Sequence, residues 1–285
     1  MVARDAVQQR WRERRGAELL RQAATATLLL VLILFAGHVG EVDAGRLAEG
    51  VPRILAYIGR TLPPLHLATV DADLADWMWD LPRWLGLLLD TALIAYVGTA
   101  FGVAAALPLS FFAAARHAPH PAAAFAARRL LEFARSVPVV VFALIFVFAF
   151  GLGPLPGAMA LAVHSAGSLG KLFAEVHENA EPGPVEATCA AGGSWWAAMR
   201  FGVLPQSLPA VVSYGLLRLE INVREAAILG FVGAGGIGQE LYLVVRRFEY
   251  TDISAVVALI LVSVALLDTA CAWLRRRITG ALVAT

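Results

Sequence analysis

Six apolar runs dominate the chain, at residues 23–39, 84–112, 137–152, 156–172, 205–231 and 253–274. A helix needs about 20 mostly apolar residues to cross the hydrocarbon core of a bilayer. In lipid every backbone group must find its partner within the protein, which single runs of this kind achieve only as helices. The pattern therefore predicts an all-α membrane protein with about six spanning helices. Composition agrees: 59% of the 285 residues are hydrophobic and 16% are charged, against about 45–50% and about 25% in soluble domains. The third and fourth runs are short. Pro154 and Pro156 stand between them, flanked by Gly151, Gly153 and Gly157, and prolines so placed cannot continue a helix.

Arginine placement sets the expected orientation. Arg4, Arg10, Arg12, Arg14, Arg15 and Arg21 precede the first run and read as cytoplasmic; no A-x-A-like cleavage site follows, so that run reads as an uncleaved helix. Residues 40–83 read as external, with Asp71, Asp73, Asp76 and Asp80 beside the interfacial Trp77, Trp79 and Trp84. Arg116, Arg128, Arg129 and Arg135 place the next loop inside, and 171–199 is inside again. Residues 233–250 fall outside, although Arg246 and Arg247 run against the rule there. Arg275, Arg276 and Arg277 return the C-terminus to the cytoplasm. Within 44–62, Leu47, Val51, Ile54, Leu55 and Ile58 recur at helical spacing between Arg46, Glu49 and Arg53, the pattern of a helix lying on the outer interface. Three parts follow: a cytoplasmic segment 1–22, a first spanning helix with the external amphipathic segment at 23–83, and a main membrane domain at 84–285.

Several functions are excluded or disfavoured. No basic stripe with interleaved aromatics suggests nucleic acid. Cys189 and Cys271 are too few for a structural zinc site and read as unpaired. There is no G-x-x-x-x-G-K-[ST] loop and no serine–histidine–acid grouping, so no catalytic residue is assigned and the chain reads as non-enzymatic. No internal repeat suggests inverted halves, which disfavours a secondary carrier. Gly233, Gly235 and Gly238 satisfy G-x-G-x-x-G, but no strand precedes them and no βαβ unit surrounds them. Gly233, Gly235, Gly236 and Gly238 read instead as a close-packed turn, either a plain turn or a gate at the external end of a pathway.

Residues 186–205 form a moderately polar stretch between apolar flanks. Ala187, Ala190 and Ala191 would let another chain approach closely. Gly192 and Gly193 break a first helix, and Ser194 can cap a second. Trp195 and Trp196 are side chains of the kind enriched at interface hot spots. Glu186 is placed to pair with a partner or to hold the turn, and Leu204-Pro205 opens the next run. Docking element and ordinary connector both fit the spacing.

Charges also interrupt the fifth run. Each costs about 2.5–3.5 kcal/mol at a helix centre on insertion scales. Arg218, Asn222 and Glu225 share one helix face, expected to line a solute route; Glu220 and Arg224 form an i, i+4 pair on roughly the opposite face, expected to be a structural ion pair with each other. Structural ion pairs throughout is the competing reading. Asp90, His164 and Asp268 read as buried hydrogen-bonding partners, and no metal site is expected.

The 186–205 stretch resembles the EAA loop of permease subunits of binding-protein-dependent ABC importers. Thr188-Cys189 departs from the alanine-rich pattern there, though Thr188 is small. The segments LGKLFAE (169–175), PGPVEA (182–187), REAAILG (224–230), FVGAGGIGQEL (231–241) and RSVPVVVFALI (135–145) are together similar to permeases of the phosphonate branch, which includes phosphite and hypophosphite relatives. The resemblance covers roughly residues 85–275. It implies a multi-pass protein of the bacterial inner membrane, working with a second copy of the permease, two cytoplasmic ATPases that carry ATP and Mg, and an external solute-binding protein. It further implies alternating access, a coupling loop at 175–205 with Glu186, Ala187, Gly192, Trp195, Leu204 and Pro205, and no cofactor on this chain. A permease for another small oxyanion, a proton-coupled carrier using Glu220, Glu225 or Asp268, and a membrane enzyme or assembly factor are the alternatives.

Overall fold

The structure, a computed structural model, describes residues 2–63, 66 and 68–283, with side chains for these except 2–17, 44, 47 and 279–283. Among the described residues all regular structure is helical. The chain divides into two units, residues 1–59 and 60–285.

In the first unit, α1 (Val2–Val39) carries a 22-residue stretch, Glu18–Val39, long and apolar enough to cross a membrane. The side chains of Arg4, Arg10, Arg12, Arg14 and Arg15 lie outside the described residues. The expected amphipathic segment is a helix, α2 (Ala44–Thr61), with Val51, Ile54, Leu55 and Ile58 exposed and an Arg53–Glu49 ion pair of 3.3 Å along it. Leu47 has no described side chain.

The second unit starts with α3 (Val70–Trp77) and α4 (Leu81–Ala113), followed by α5 (Pro121–Ser136), α6 (Val139–Phe150) and α7 (Pro154–Glu178). The core forms around α7, which packs against α4, α5 and α6. Small residues set that contact. A side chain added at Gly98 would meet Leu161 Cβ at 2.6 Å, and one at Gly102 would meet Ser165 Cβ at 2.6 Å. This Gly-x-x-x-Gly pair lets two backbones approach closely, as small residues do in membrane interiors. At 25 residues α7 is long enough to span, yet it carries His164, Ser165 and Lys171. Its neighbours are largely protein rather than lipid, so its sequence need not be uniformly apolar.

The expected spanning run at 137–152 is corrected. Its helix, α6, has 12 residues, or about 18 Å at 1.5 Å per residue, too short for a core of about 30 Å. It is bent by 87° from α5, and the two together pass as one broken span. The break is at Val137-Pro138, where proline forces the preceding residue into an extended backbone, ψ 125° at Val137. The segment 121–136, expected as part of a loop, folds because alanine, leucine and arginine favour helix. Its buried stripe is Ala124, Ala127, Leu131 and Ala134.

Beyond α7 come α8 (Pro182–Ala190), the single turn α9 (Trp195–Ala197), a π-helical segment (Ala198–Val203) and α10 (Leu204–Leu229). A 3₁₀ turn (Gly230–Val232) and a glycine turn lead to α11 (Ile237–Arg247), and α12 (Tyr250–Val283) closes the chain. α10 packs against α4, α7 and α12. Among the described residues, three helices are long and apolar enough to cross a membrane, or up to five segments if each bent pair is one span.

The expected glycine turn is present. It lies at the 46° break between the Trp195–Val232 helix and α11, a pair long and apolar enough together for a broken span or a re-entrant loop. Gly233, Gly235 and Gly236 have φ of +88°, +80° and +73°, a region costly for other L residues. Gly238 lies beyond the turn, inside α11, where an added Cβ would fall 1.7 Å from the Ala227 carbonyl oxygen. Thr91 Oγ1 of α4 accepts the Ile237 N–H at 2.9 Å, satisfying one free donor at the start of α11. Arg246 and Arg247 occupy the last turn of α11, where the negative end of the helix dipole favours cations.

Candidate functional site

α8 buries none of its side chains, although it packs against the π-helical segment. Glu186 and Ala187 are exposed on it, and Glu186 has no ion pair or side-chain hydrogen bond to the described residues. Gly192 ends the helix with φ +82° and open space where a Cβ would stand. Ser194 Oγ accepts the Ala197 N–H at 3.4 Å and caps α9. Gly202 seats the second part against the first, because a Cβ there would meet Val185 Cα at 2.9 Å.

The two tryptophans differ. Trp196 is exposed, but Trp195 is half-buried, donating Nε1–H to the His117 carbonyl at 2.6 Å with its ring 4.9 Å from Phe112. Trp195 thus fixes α9 to the end of α4 rather than offering an open anchor. The sequence carries no signal for this, since His117 lies 78 residues away. Leu204 and Pro205 open α10 with Leu204 packed under the segment. From Trp195 to Leu229 the helical path continues without a break.

Behind this joint, His177 is buried, stacked on Phe111 at 4.6 Å, with Nδ1 3.3 Å from Ser110 Oγ. Arg128 bridges to Glu178 and donates to the Ala113 carbonyl at 2.7 Å, tying α5 to the ends of α7 and α4.

Both charged faces of α10 carry ion pairs. Arg218 and Asn222 are 8% and 0% exposed. Arg218 binds Glu225 at 3.0 Å and Ser165 Oγ of α7 at 3.1 Å, while Asn222 donates to Thr99 Oγ1 of α4 and to Ser165 Oγ, both at 2.8 Å. Asn222 Oδ1 is buried with no partner among the described residues. Glu220 and Arg224 form the expected i, i+4 pair, on the more open face. Arg224 binds Glu220 at 3.0 Å and Asp268 of α12 at 3.0 Å, with 42% of its side chain exposed. Asp90 is exposed in an apolar groove between α4 and the start of α7, lined by Leu93, Val97, Pro154 and Leu155. His164 meets the Val137 carbonyl at 3.2 Å. Cys189 is exposed, Cys271 is buried, and both are free. No cluster able to hold a metal occurs among the described residues.

The ends of α3, α4, α11 and α12 are laced by side chains. Arg83 reaches Glu240 at 2.7 Å, Trp77 Nε1 donates to Ser254 at 2.9 Å, and Trp79 Nε1 donates to Asp252 at 3.3 Å. These tryptophans, expected only as interfacial anchors, hold α12.

Residues 106–280 match the model of the family described as binding-protein-dependent transport system inner membrane component. The phosphite transport system permease protein PtxC of Stutzerimonas stutzeri is 38% identical over 246 residues, covering 86% of this chain and 85% of that one. The phosphate-import permease protein PhnE of Mycolicibacterium smegmatis is 42% identical over 188 residues, 66% of this chain and 35% of that longer one. Among solved structures, an inward-facing form of the MetNI methionine ABC transporter superposes with a TM-score of 0.60 at 24% identity, covering 71% of this chain and 97% of that chain.

Proposed function

Because this chain belongs to the family of binding-protein-dependent transport system inner membrane components, we propose that it is the permease subunit of an ATP-driven importer of small phosphorus oxyanions, phosphonates first among them. The observation that carries the reading is the exposed, alanine-rich α8–α9 segment joined without a break to α10. Two such permeases enclose the route, two ATPases dock on α8–α9 from the cytoplasm, and an external binding protein delivers the solute. Glu186 and Ala187 meet the ATPase, Gly192 lets the segment turn, and Trp195 passes movement to α4. Leu204 and Pro205 pass it to α10. ATP and Mg act on the partner. Access alternates as the docked segments are carried together and apart.

α1, α4, α5–α6, α7, α10–α11 and α12 make six crossings of the inner membrane, leaving both termini cytoplasmic. α7 supplies the sixth, screened from lipid by its neighbours. The likeness to a phosphite permease supports phosphite as a second solute class. Co-purification with the binding protein, followed by mass spectrometry of its ligand, tests the reading. A phosphonate is expected and phosphite favours the second class; an amino acid or sugar would refute both.

A further inference from the structure

We propose that Glu220, Arg224 and Asp268 line the aqueous route, and that Arg224 is the cation a small oxyanion meets there by displacing Asp268, a proposal that rests on the importer reading above. Asp268 lies four residues, or about 6 Å at 1.5 Å per residue, from the middle of the apolar stretch Tyr250–Ile278, well inside a core of about 30 Å. Facing lipid at such a depth, each ion would be costly, and ionisable groups there face the bundle interior or water. The Arg218 cluster meets that condition by facing α4 and α7. The other three do not: the side chains of Arg224, Glu220 and Asp268 are 42%, 19% and 37% exposed. They pair with one another on the open side of α10 and α12, the side that in the proposed assembly faces the second copy across the route.

Charge balance sets what the group can do. One guanidinium shared by two carboxylates accepts an anion only when one carboxylate yields. Asp268 is the one free to yield, being on the other helix and more exposed than Glu220. Its exchange for a phosphorus oxyanion opens the α10–α12 bridge, while Glu220 keeps Arg224 in place from one turn away. The remaining carboxylate keeps the contact weak, as a route requires. The same α10 runs unbroken to the docking segment, so solute and ATPase act on one joint.

The test uses the assembled transporter with Cys189 and Cys271 replaced by alanine. Single cysteines replace Ile228, one turn from Arg224, and Leu261, two turns from Asp268; both are exposed. A third replaces Phe101, an exposed residue of α4. A water-soluble cationic thiol reagent should label 228 and 261 faster than 101, and phosphite or methylphosphonate should slow that labelling. The neutral combination Glu220→Gln, Arg224→Gln, Asp268→Asn should fold but lose about tenfold in uptake per folded transporter, the factor for one charge-assisted hydrogen bond. Arg224→Lys should keep part of it. Labelling no faster than at 101, labelling unaffected by the anion, or native uptake by the neutral combination overturns the proposal. Absence of phosphorus-oxyanion uptake by the unmodified transporter would sink the importer reading instead, and leaves the labelling pattern to be judged by itself.

Discussion

Arg218 and Glu225 illustrate how a charge can be kept within a membrane helix. Their ion pair is mostly screened from solvent, and Ser165 takes a further donor of the guanidinium. Removing one partner of such a pair costs about 3–5 kcal/mol, because the other charge is left buried. Arg218→Ala should therefore lower the melting temperature and the folded yield, and adding Glu225→Gln should restore part of both. Melting curves of the two purified variants decide this; an unchanged melting temperature for Arg218→Ala would contradict it.

At the scale of elements, the glycine turn joins α10 to α11 by contact as much as by conformation. Gly153 N–H donates to the Gly233 carbonyl at 2.9 Å, so the turn before α7 and the turn before α11 meet. Gly238→Ala would push a methyl into the Ala227 backbone, and overpacking of this kind costs about 1–3 kcal/mol or more. Its folded yield should fall sharply. Gly86→Ala, where nothing lies within 4 Å, should be neutral or gain up to about 1 kcal/mol from helix propensity. A normal yield for Gly238→Ala would show that α11 can shift without penalty. The same elements show what a sequence carries. Apolar runs, the helix break at Gly192-Gly193 and the Ser194 cap are local and were legible. So were the i, i+4 pairing of Glu220 with Arg224 and the common face of Arg218 and Asn222. Which face turns inward was not, because that depends on Ser165 and Thr99 arriving from other helices. Gly98 and Gly102 held the missing signal, since a small-residue pair in an apolar run marks where a neighbour packs. The bend at Pro138 was also readable in principle, but the apolar run continuing past it concealed a helix of only 12 residues.

For the whole molecule, the reading requires that movement at the exposed α8–α9 segment reach the membrane helices. Two links are built in: Trp195 to the end of α4, and the unbroken path into α10. Topology is the first condition. Ser194→Cys, in a chain lacking Cys189 and Cys271, should resist an impermeant thiol reagent in intact cells and react once the membrane is opened. Reaction from outside would place α8–α9 away from any cytoplasmic ATPase. The decisive measurement is uptake into proteoliposomes holding this permease and its ATPase, with loaded binding protein outside and nucleotide inside. Accumulation of the phosphorus oxyanion should require internal ATP. It should fall in Glu186→Ala and Gly192→Val while ATP hydrolysis continues, the signature of a broken coupling segment in a folded protein. Accumulation driven by a proton gradient without ATP, or native coupling in both variants, would contradict it.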